Sequence, residues 1–259
     1  MTHPHWKLTE ADAPMVATAI HAGHQVSPEA ESLLALSGDD RLREEDPYTD
    51  RWLGMAPTQV DVRQSRFEYD LNRPPETAIY LTPDQAWGLN VWKQPPPQDL
   101  LSRSRQSYEA FYLEIGTLLD GLAHRHPRMV VFDLHSYCHR RQGPNAPEAD
   151  PQANPEVNLG TESVADAQRP LVERFAAELR SFDFEGRSLD VRENVKFKGG
   201  NFSRWINQRY GSRVCAIASE FKKTFMDEWT GQPDLARIDL IGQALTTAAF
   251  GVEQELADR

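Results

Sequence analysis

The segment from Leu100 to Leu134 restricts the possible folds more than any other part of the chain. Apolar residues recur every three or four positions between Leu100 and His126, and this spacing predicts one long amphipathic helix. The apolar run MVVFDL follows almost at once and predicts a buried strand over Met129–Leu134. A long helix that leads into a buried strand is typical of an α/β protein.

Further strand-like and helix-like segments alternate along the chain. The other predicted strands are Val16–Ile20, Gln59–Val62, Phe67–Leu71, Ser188–Arg192 and Arg213–Ser219. The other predicted helices are Ala165–Ser181, a helix after the Gly199–Gly200 turn, and one from about Asp234 to Phe250. This alternation indicates a β-sheet with helices packed on it.

The chain of 259 residues contains no internal repeat and no linker that would divide it. A chain of this length can bury a large core within one domain. We therefore expect a single domain over residues 1–259. Residues 142–160 are rich in proline, asparagine and glycine, so they predict a long loop of the kind that often lies over a binding site.

Charge and composition exclude several classes of protein. The formal net charge of -11 argues against a nucleic-acid-binding protein, because phosphate contacts need clustered lysine and arginine. No apolar run approaches the roughly 20 residues that span a bilayer, and the N-terminal residues lack the layout of a signal peptide. Cys138 and Cys215 lie far apart and outside any CxxC motif, so we expect no disulfide framework and a cytoplasmic location.

A small anionic partner remains compatible with this charge, because it needs only a local group of cations. The basic side chains that stand near the motifs discussed below are Arg73, Arg140, Arg141, Lys196, Lys198 and Arg204. Most of these are expected to be ordinary surface charges. The sequence does not indicate an oligomeric state.

Three residues with metal-binding or proton-transfer chemistry follow predicted strands directly. They are His21, His135 and Glu220. In open α/β sheets, ligands bind outside the carboxyl ends of the strands, where residues distant in sequence meet. Two imidazoles and a carboxylate suit a zinc site with a base beside it. A single histidine at a strand end is more often structural, but two that both follow apolar runs favour a metal site.

The third metal ligand stays open at this level. His24 lies three residues after His21, an offset that HxxE metal motifs use for their second ligand. Glu29 and the acids of the stretch DDRLREEDPYTDRW are alternatives. Within that stretch Asp50 follows Thr49 before an amphipathic segment, so its other interpretation is the beginning of a helix.

Two short motifs supply candidate substrate-binding residues. Asn72 and Arg73 lie in YDLNRPP, and the Arg73 guanidinium matches a carboxylate or a developing oxyanion. Gly199 and Gly200 lie in KFKGGN and would let the backbone approach a ligand, although a tight turn needs the same residues. The chain has no GxSxG, P-loop or GxGxxG motif. Metal-assisted hydrolysis is therefore the simplest chemistry for the residues present.

Six motifs, taken in order, resemble the N-formylglutamate amidohydrolase family. They are HAGHQVSPE, EEDPYTDRW, FEYDLNRPP, VVFDLHSY, FKGGNFSRWINQRYG and ASEFKKTFMDEWTG. They run from about Val16 to Gly231, so the resemblance covers most of the chain. DLNR and the strand-end histidines are more distantly similar to the aspartoacylase and zinc carboxypeptidase group. The resemblance implies a single catalytic domain with a twisted mixed β-sheet flanked by helices and one zinc ion per chain.

The resemblance also implies a set of metal ligands. It assigns His21 and His135 to the zinc, with an acid between them in the chain, for which Asp50 is the first choice. The family usually reads His-Ser-Gly where this chain reads His-Ala-Gly-His. His24 is therefore a further candidate, either for the metal or for the substrate.

The resemblance makes Glu220 the general base and Arg73 a catalytic residue that stabilises the oxyanion. In the alternative interpretation, Asn72 and Arg73 hold the substrate carboxylate. The implied reaction is zinc-dependent hydrolysis of an N-acyl amino acid, with N-formyl-L-glutamate as the specific candidate. One alternative is a carboxypeptidase-like peptide hydrolase. Another is a degenerate member that binds a metal or an anion without turnover.

Overall fold

Seven strands form one mixed sheet in the computed structural model, which describes residues 4–258. The strands are β1 (Trp6–Thr9), β2 (Met15–Ala19), β3 (Thr58–Val62), β4 (Met129–Tyr137), β5 (Val157–Gly160), β6 (Val191–Glu193) and β7 (Val214–Lys222). Their order across the sheet is β1-β3-β2-β4-β7-β5-β6. The four strands β3, β2, β4 and β7 are parallel to one another. β1 is antiparallel to β3, and β5 is antiparallel to β7.

Helices cover both faces of this sheet. The α-helices are α1 (Pro28–Leu33), α2 (Gly38–Glu44), α3 (Gln98–Arg125), α4 (Arg169–Ser181), α5 (Asn201–Tyr210) and α6 (Leu235–Ala257). Short 3₁₀ helices lie at Thr49–Met55, Pro83–Ala86, Asp166–Gln168 and Gly211–Arg213. Among the helices of residues 4–258, none combines the length and the apolar character that crossing a membrane would require.

The central strand β4 contributes to two hydrophobic cores. Val130, Phe132 and Leu134 belong to the core under α4 and α6, whereas Met129 and Val131 belong to the core under α3 and α5. Successive side chains of a strand point to opposite faces, so a strand covered on both sides is apolar at nearly every position. All nine residues of β4 are buried accordingly. The continuous apolar run in the sequence thus follows from the position of the strand.

The predicted α/β fold with a mixed sheet flanked by helices is confirmed. The helix predicted over Leu100–His126 is α3, and the strand predicted over Met129–Leu134 is the first part of β4. Residues 1–3 and 259 of the single domain predicted over residues 1–259 lie outside the described residues.

Two local predictions were wrong. Phe67–Leu71 is not a strand, because its backbone turns: the amide of Glu68 donates to the Ser65 carbonyl and that of Arg73 to the Asp70 carbonyl. The predicted loop over residues 142–160 ends in β5, whose apolar side chains belong to the core.

Truncation of Phe132 should strongly destabilise the fold. Its ring is fully buried and packs against that of Phe175, with 5.0 Å between the centroids. We expect Phe132→Ala to lower the free energy of unfolding by about 3–5 kcal/mol, since the substitution leaves a cavity. Leu113→Ala on the outer face of α3, where the leucine is 73% exposed, should change it by less than about 0.5 kcal/mol. Urea unfolding measures both, and equal losses would contradict this account of the core.

Candidate active site

The register of the central strands brings His135 beside Glu220. β4 and β7 are parallel, and His135 is directly opposite Glu220 in the pairing. β2 lies on the other side of β4 and ends two residues before His21. The rings of His21 and His135 are 4.9 Å apart, centroid to centroid. The structure thus brings together the three residues that the sequence predicted from strand ends.

Asp46 is the acid that lies beside both histidines. It follows α2, and its backbone N–H donates to the carbonyl oxygen of His21 at 2.9 Å. Its Oδ2 lies 2.9 Å from Nδ1 of His135 and 3.4 Å from Nδ1 of His21. One donor atom from each of the three buried residues lies within 4.8 Å of the others. This group is hereafter called the His-Asp-His group.

Two further carboxylates hold the opposite sides of the imidazole rings. Asp70 Oδ1 is 2.7 Å from His21 Nε2, and Asp133 Oδ1 is 3.1 Å from His135 Nε2. Asp70 is itself fixed by the guanidinium of Arg66 at 2.7 Å. These contacts favour the proton on Nε2 of His21 and His135, so that Nδ1 of each ring is left to face Asp46.

The His-Asp-His group suits a divalent metal such as zinc. Two imidazole nitrogens and one carboxylate oxygen are typical zinc ligands, and three protein ligands leave a position open for water or substrate. His21 Nδ1 is buried and has no hydrogen-bond partner among residues 4–258. An unsatisfied buried nitrogen is costly, and a cation bound by Nδ1 would remove that cost.

The pKa values around the histidines reflect a surplus of buried negative charge. Burial alone would lower the pKa of His135, but the carboxylates of Asp133 and Glu220 outweigh it and raise this pKa well above its usual range. Burial alone would raise the pKa of Asp46, but the nearby imidazoles of His135 and His21 hold it below its usual range. Groups with this charge imbalance attract a cation.

Glu220 is a buried carboxyl group without a fixed partner. It forms no hydrogen bond or ion pair with other residues in the described part of the chain. Burial raises the pKa of Glu220 to about 7; His135 opposes this rise, and the Asp46 carboxylate adds to it. A carboxyl group with these properties can accept and return a proton near neutral pH.

A cleft of about 410 Å³ opens above these residues. The His-Asp-His group and Glu220 lie among its lining residues, with Trp87 and Arg141 also contributing to the walls. Arg141 is paired with Glu44, 2.7 Å between Nη2 and Oε2, and its guanidinium lies over the Trp87 ring. The volume is that of a site for a small molecule.

Asn72 links the cleft wall to the histidines. Its Oδ1 accepts a hydrogen bond from the backbone N–H of Phe202 in the first turn of α5, 3.0 Å away. Its Nδ2 lies 3.5 Å from Nε2 of His135. Gly200 makes this arrangement possible, because a Cβ at that position would lie 2.1 Å from Asn72 Oδ1.

Arg73, Gly199 and Gly200 all line the cleft, and their predicted role in substrate binding stays a prediction. The Arg73 guanidinium forms no salt bridge with other described residues and lies 5.9 Å from the centroid of the Tyr80 ring. Gly199 has a φ of 108°, a left-handed conformation that glycine adopts without strain. Both glycines of this loop are therefore explained by local structure: Gly199 by its left-handed backbone and Gly200 by its contact with Asn72.

The structure brings neither of the predicted ligands Asp50 and His24 to the His-Asp-His group. Asp50 is exposed in the 3₁₀ helix Thr49–Met55, so Asp46 and not Asp50 lies beside the histidines. The His24 side chain is 43% exposed, and its Nδ1 is 2.5 Å from Oε2 of Glu45. Gly23, between the two histidines, packs against the backbone of Arg63. The side chain of His21 contacts Asp70, whereas that of His24 contacts Glu45.

The sequence left Asp46 among the candidate acids of DDRLREEDPYTDRW without singling it out, and it did not point to Asp70 or Asp133. Asp133 carried a signal, because a charged residue inside an apolar strand and two positions before His135 lies on the same face as that histidine. Asp46 directly precedes Pro47, a dipeptide that favours a turn and not a helix. Asp70 begins DLNR, in which Asn72 and Arg73 are the predicted binding residues.

Substitution of Gly200 should displace Asn72. Because a Cβ would overlap the Asn72 side chain, we expect Gly200→Ala to lower the free energy of unfolding by about 1–3 kcal/mol. Gly54→Ala is the matched control, since no atom lies within 4 Å of its added Cβ. Urea unfolding of both variants tests this, and a stable Gly200→Ala protein with an unchanged cleft would contradict the packing described.

Comparison with known proteins gives a consistent picture. The sequence model of the N-formylglutamate amidohydrolase family matches residues 13–226. N-formylglutamate amidohydrolase from Ralstonia eutropha JMP134 has a similar structure, with a TM-score of 0.78 and 17% identity over 98% of this chain and 99% of that chain. A gene product of Agrobacterium tumefaciens has a TM-score of 0.60 and 18% identity, and 96% of each chain is covered. A putative carboxypeptidase A from Shewanella denitrificans OS-217 reaches a TM-score of 0.39 at 13% identity, over 93% of this chain and 57% of that chain. No functionally curated protein matches the sequence.

Proposed function

The chain belongs to the N-formylglutamate amidohydrolase family, and on this basis we propose that it is a zinc-dependent hydrolase of N-acyl amino acids. The first proposed substrate is N-formyl-L-glutamate, which would give formate and glutamate. The observation that carries this proposal is the position of an unpaired carboxyl group, Glu220, beside the His-Asp-His group. A metal site with an adjacent base is the arrangement that metal-assisted amide hydrolysis needs.

His21, Asp46 and His135 are the residues that would hold the zinc ion. The chemistry that zinc supplies in such sites is a lower pKa for water and polarisation of a carbonyl group. Asp70 and Asp133 would fix the orientation of the imidazole rings, as carboxylates behind metal-binding histidines do.

Glu220 would move the proton during the reaction. Its carboxylate accepts a proton from the attacking water molecule, whose oxygen adds to the acyl carbon. The same proton then passes from Glu220 to the nitrogen of the amide as the carbon–nitrogen bond breaks. The products are a carboxylic acid and a free amino acid, and the Glu220 carboxylate is restored.

Arg73 would bind the substrate carboxylate. Its guanidinium lines the cleft without a counter-ion, and two parallel N–H groups match a carboxylate. Asn72, Gly199 and Gly200 would form the adjoining wall. If Arg73 stabilises the oxyanion instead, its substitution lowers kcat more than it raises KM.

We also propose a cytoplasmic location. Cys138 and Cys215 are both buried free thiols, which suits a reducing compartment.

The cleft and its unpaired arginine favour a small anionic partner.

Zinc binding should depend on Asp46 and not on Asp50. Protein purified without a chelator or a metal-binding tag is expected to carry about one zinc ion per chain. His21→Ala and Asp46→Ala should lose most of it, whereas Asp50→Ala should keep it, because Asp50 is exposed and outside the His-Asp-His group. Elemental analysis measures this. Zinc that survives Asp46→Ala, or that is absent from folded wild-type protein supplied with zinc, would contradict the proposed site.

Glu220→Gln should abolish hydrolysis and leave the metal in place. The amide cannot accept a proton from water, so we expect kcat for N-formyl-L-glutamate to fall at least about 100-fold, with unchanged zinc content. Glu253→Gln, on the exposed surface of α6, is the control and should change neither value. Formate release from a panel of N-acyl amino acids and short peptides measures activity. Hydrolysis of peptides alone, or full activity of Glu220→Gln, would overturn the proposed function.

A further inference from the structure

Two of the six basic residues that stand near the sequence motifs line the cleft and form no salt bridge with residues 4–258. Of the six basic residues that stand near the sequence motifs, three are paired with carboxylates and one with a backbone carbonyl. The pairs are Arg140–Glu148 at 3.1 Å, Arg141–Glu44 at 2.7 Å, Lys198–Glu162 at 2.8 Å and Arg204 with the Gly199 carbonyl at 3.1 Å. Arg73 and Lys196 line the cleft, and neither forms a salt bridge with residues 4–258. Arg204 does not line the cleft. Lys223 does, but its ammonium is buried and donates to the carbonyl oxygens of Arg43 and Glu45 and to Sγ of Cys138. Arg73 and Lys196 therefore keep N–H donors for an anion in the cleft.

Two buried asparagines hold Lys196 in place. Its backbone N–H donates to Oδ1 of Asn158 at 2.8 Å, and its Nζ donates to Oδ1 of Asn154 at 2.6 Å. The ammonium lies 5.1 Å from the centroid of the Tyr137 ring. A lysine ammonium has three N–H donors, so two are left after the bond to Asn154. Lys196 is thus an ordered cation with unused donors.

The sheet register places Lys196 and Arg73 on different sides of the reacting centre. Glu220 is opposite His135 on β4 and also opposite Asn158 on β5. Asn158 binds the backbone N–H of Lys196. The backbone of Lys196 therefore lies on the β5 side of Glu220, whereas His135 lies on the β4 side. Arg73, in contrast, follows Asn72, whose amide approaches His135.

We propose that Lys196 is the residue that selects the side chain of the substrate. Its ammonium binds a carboxylate on that side chain, while Arg73 binds the α-carboxylate. This inference rests on the proposed hydrolase function. The acidic side chain is that of the substrate already proposed, and the inference attributes its selection to one residue. A neutral amide in the same place would lose the charge-assisted hydrogen bond.

The test compares two substrates of equal length that differ in charge. N-formyl-L-glutamate and N-formyl-L-glutamine are given to zinc-loaded wild-type protein and to Lys196→Met. We expect kcat/KM for the glutamate compound to fall about 10- to 100-fold in the variant, which is the usual loss for a hydrogen bond to a charged group. For the glutamine compound it should stay within about threefold, which also shows that the variant is folded.

Two further variants separate charge from structure. Lys196→Arg keeps the positive charge and should restore most of the preference for glutamate. Lys198→Met removes a neighbouring lysine that is already paired with Glu162, so its ratio of the two kcat/KM values should equal that of the wild type. An unchanged ratio in Lys196→Met, with normal hydrolysis, would overturn the role of Lys196 and leave the proposed function intact.

Binding measurements distinguish the two proposals if no hydrolysis is seen. Calorimetry on Glu220→Gln gives Kd for both compounds with and without Lys196→Met. A preference for the glutamate compound that disappears with Lys196→Met would support the inference, even if the wild type hydrolysed neither compound and the proposed function failed. Absence of both binding and turnover would overturn both proposals.

Discussion

The parallel pairing of β4 with β7 is the constraint on which the site depends. It sets His135 opposite Glu220, and the next pairing, with β5, sets Asn158 opposite the same glutamate. A shift of one residue would move each of these side chains to the other face of the sheet. Both strands are buried along their whole length, so packing on two faces opposes such a shift. The chemistry of the cleft is thus fixed by the same contacts that stabilise the core.

The sequence predicted the parts of the site that belong to regular structure. His21, His135 and Glu220 follow or extend apolar strands. The carboxyl ends of parallel strands lie at the same edge of a sheet, so these three residues could be expected to meet there. Asp46 was only one of several candidate acids, because it lies in a loop, where no strand or helix period distinguishes it from its neighbours; a backbone hydrogen bond to the His21 carbonyl holds it in place. The wrong strand at Phe67–Leu71 has a similar cause: its apolar residues are buried by turns that hydrogen-bond locally.

The distribution of charge reconciles an acidic protein with an anionic substrate. The formal net charge is -11, and the buried residues nearest the histidines are carboxylates. Such a shell attracts a metal cation but would repel a negatively charged substrate. Arg73 and Lys196 line the same cleft and would offset that repulsion locally. In the proposed function, substrate recognition and metal binding would thus use opposite charges in one cleft.

The side chain of Asn72 contacts both a helix and a residue of the His-Asp-His group. One is the first turn of α5, whose backbone it caps, and the other is the ring of His135. Helix ends open more readily than strand centres, and their opening is local. Fraying at the start of α5 would free Asn72 and remove a contact from the histidine. The surroundings of His135 are therefore coupled, through Asn72, to the conformational stability of a helix end that borders the cleft.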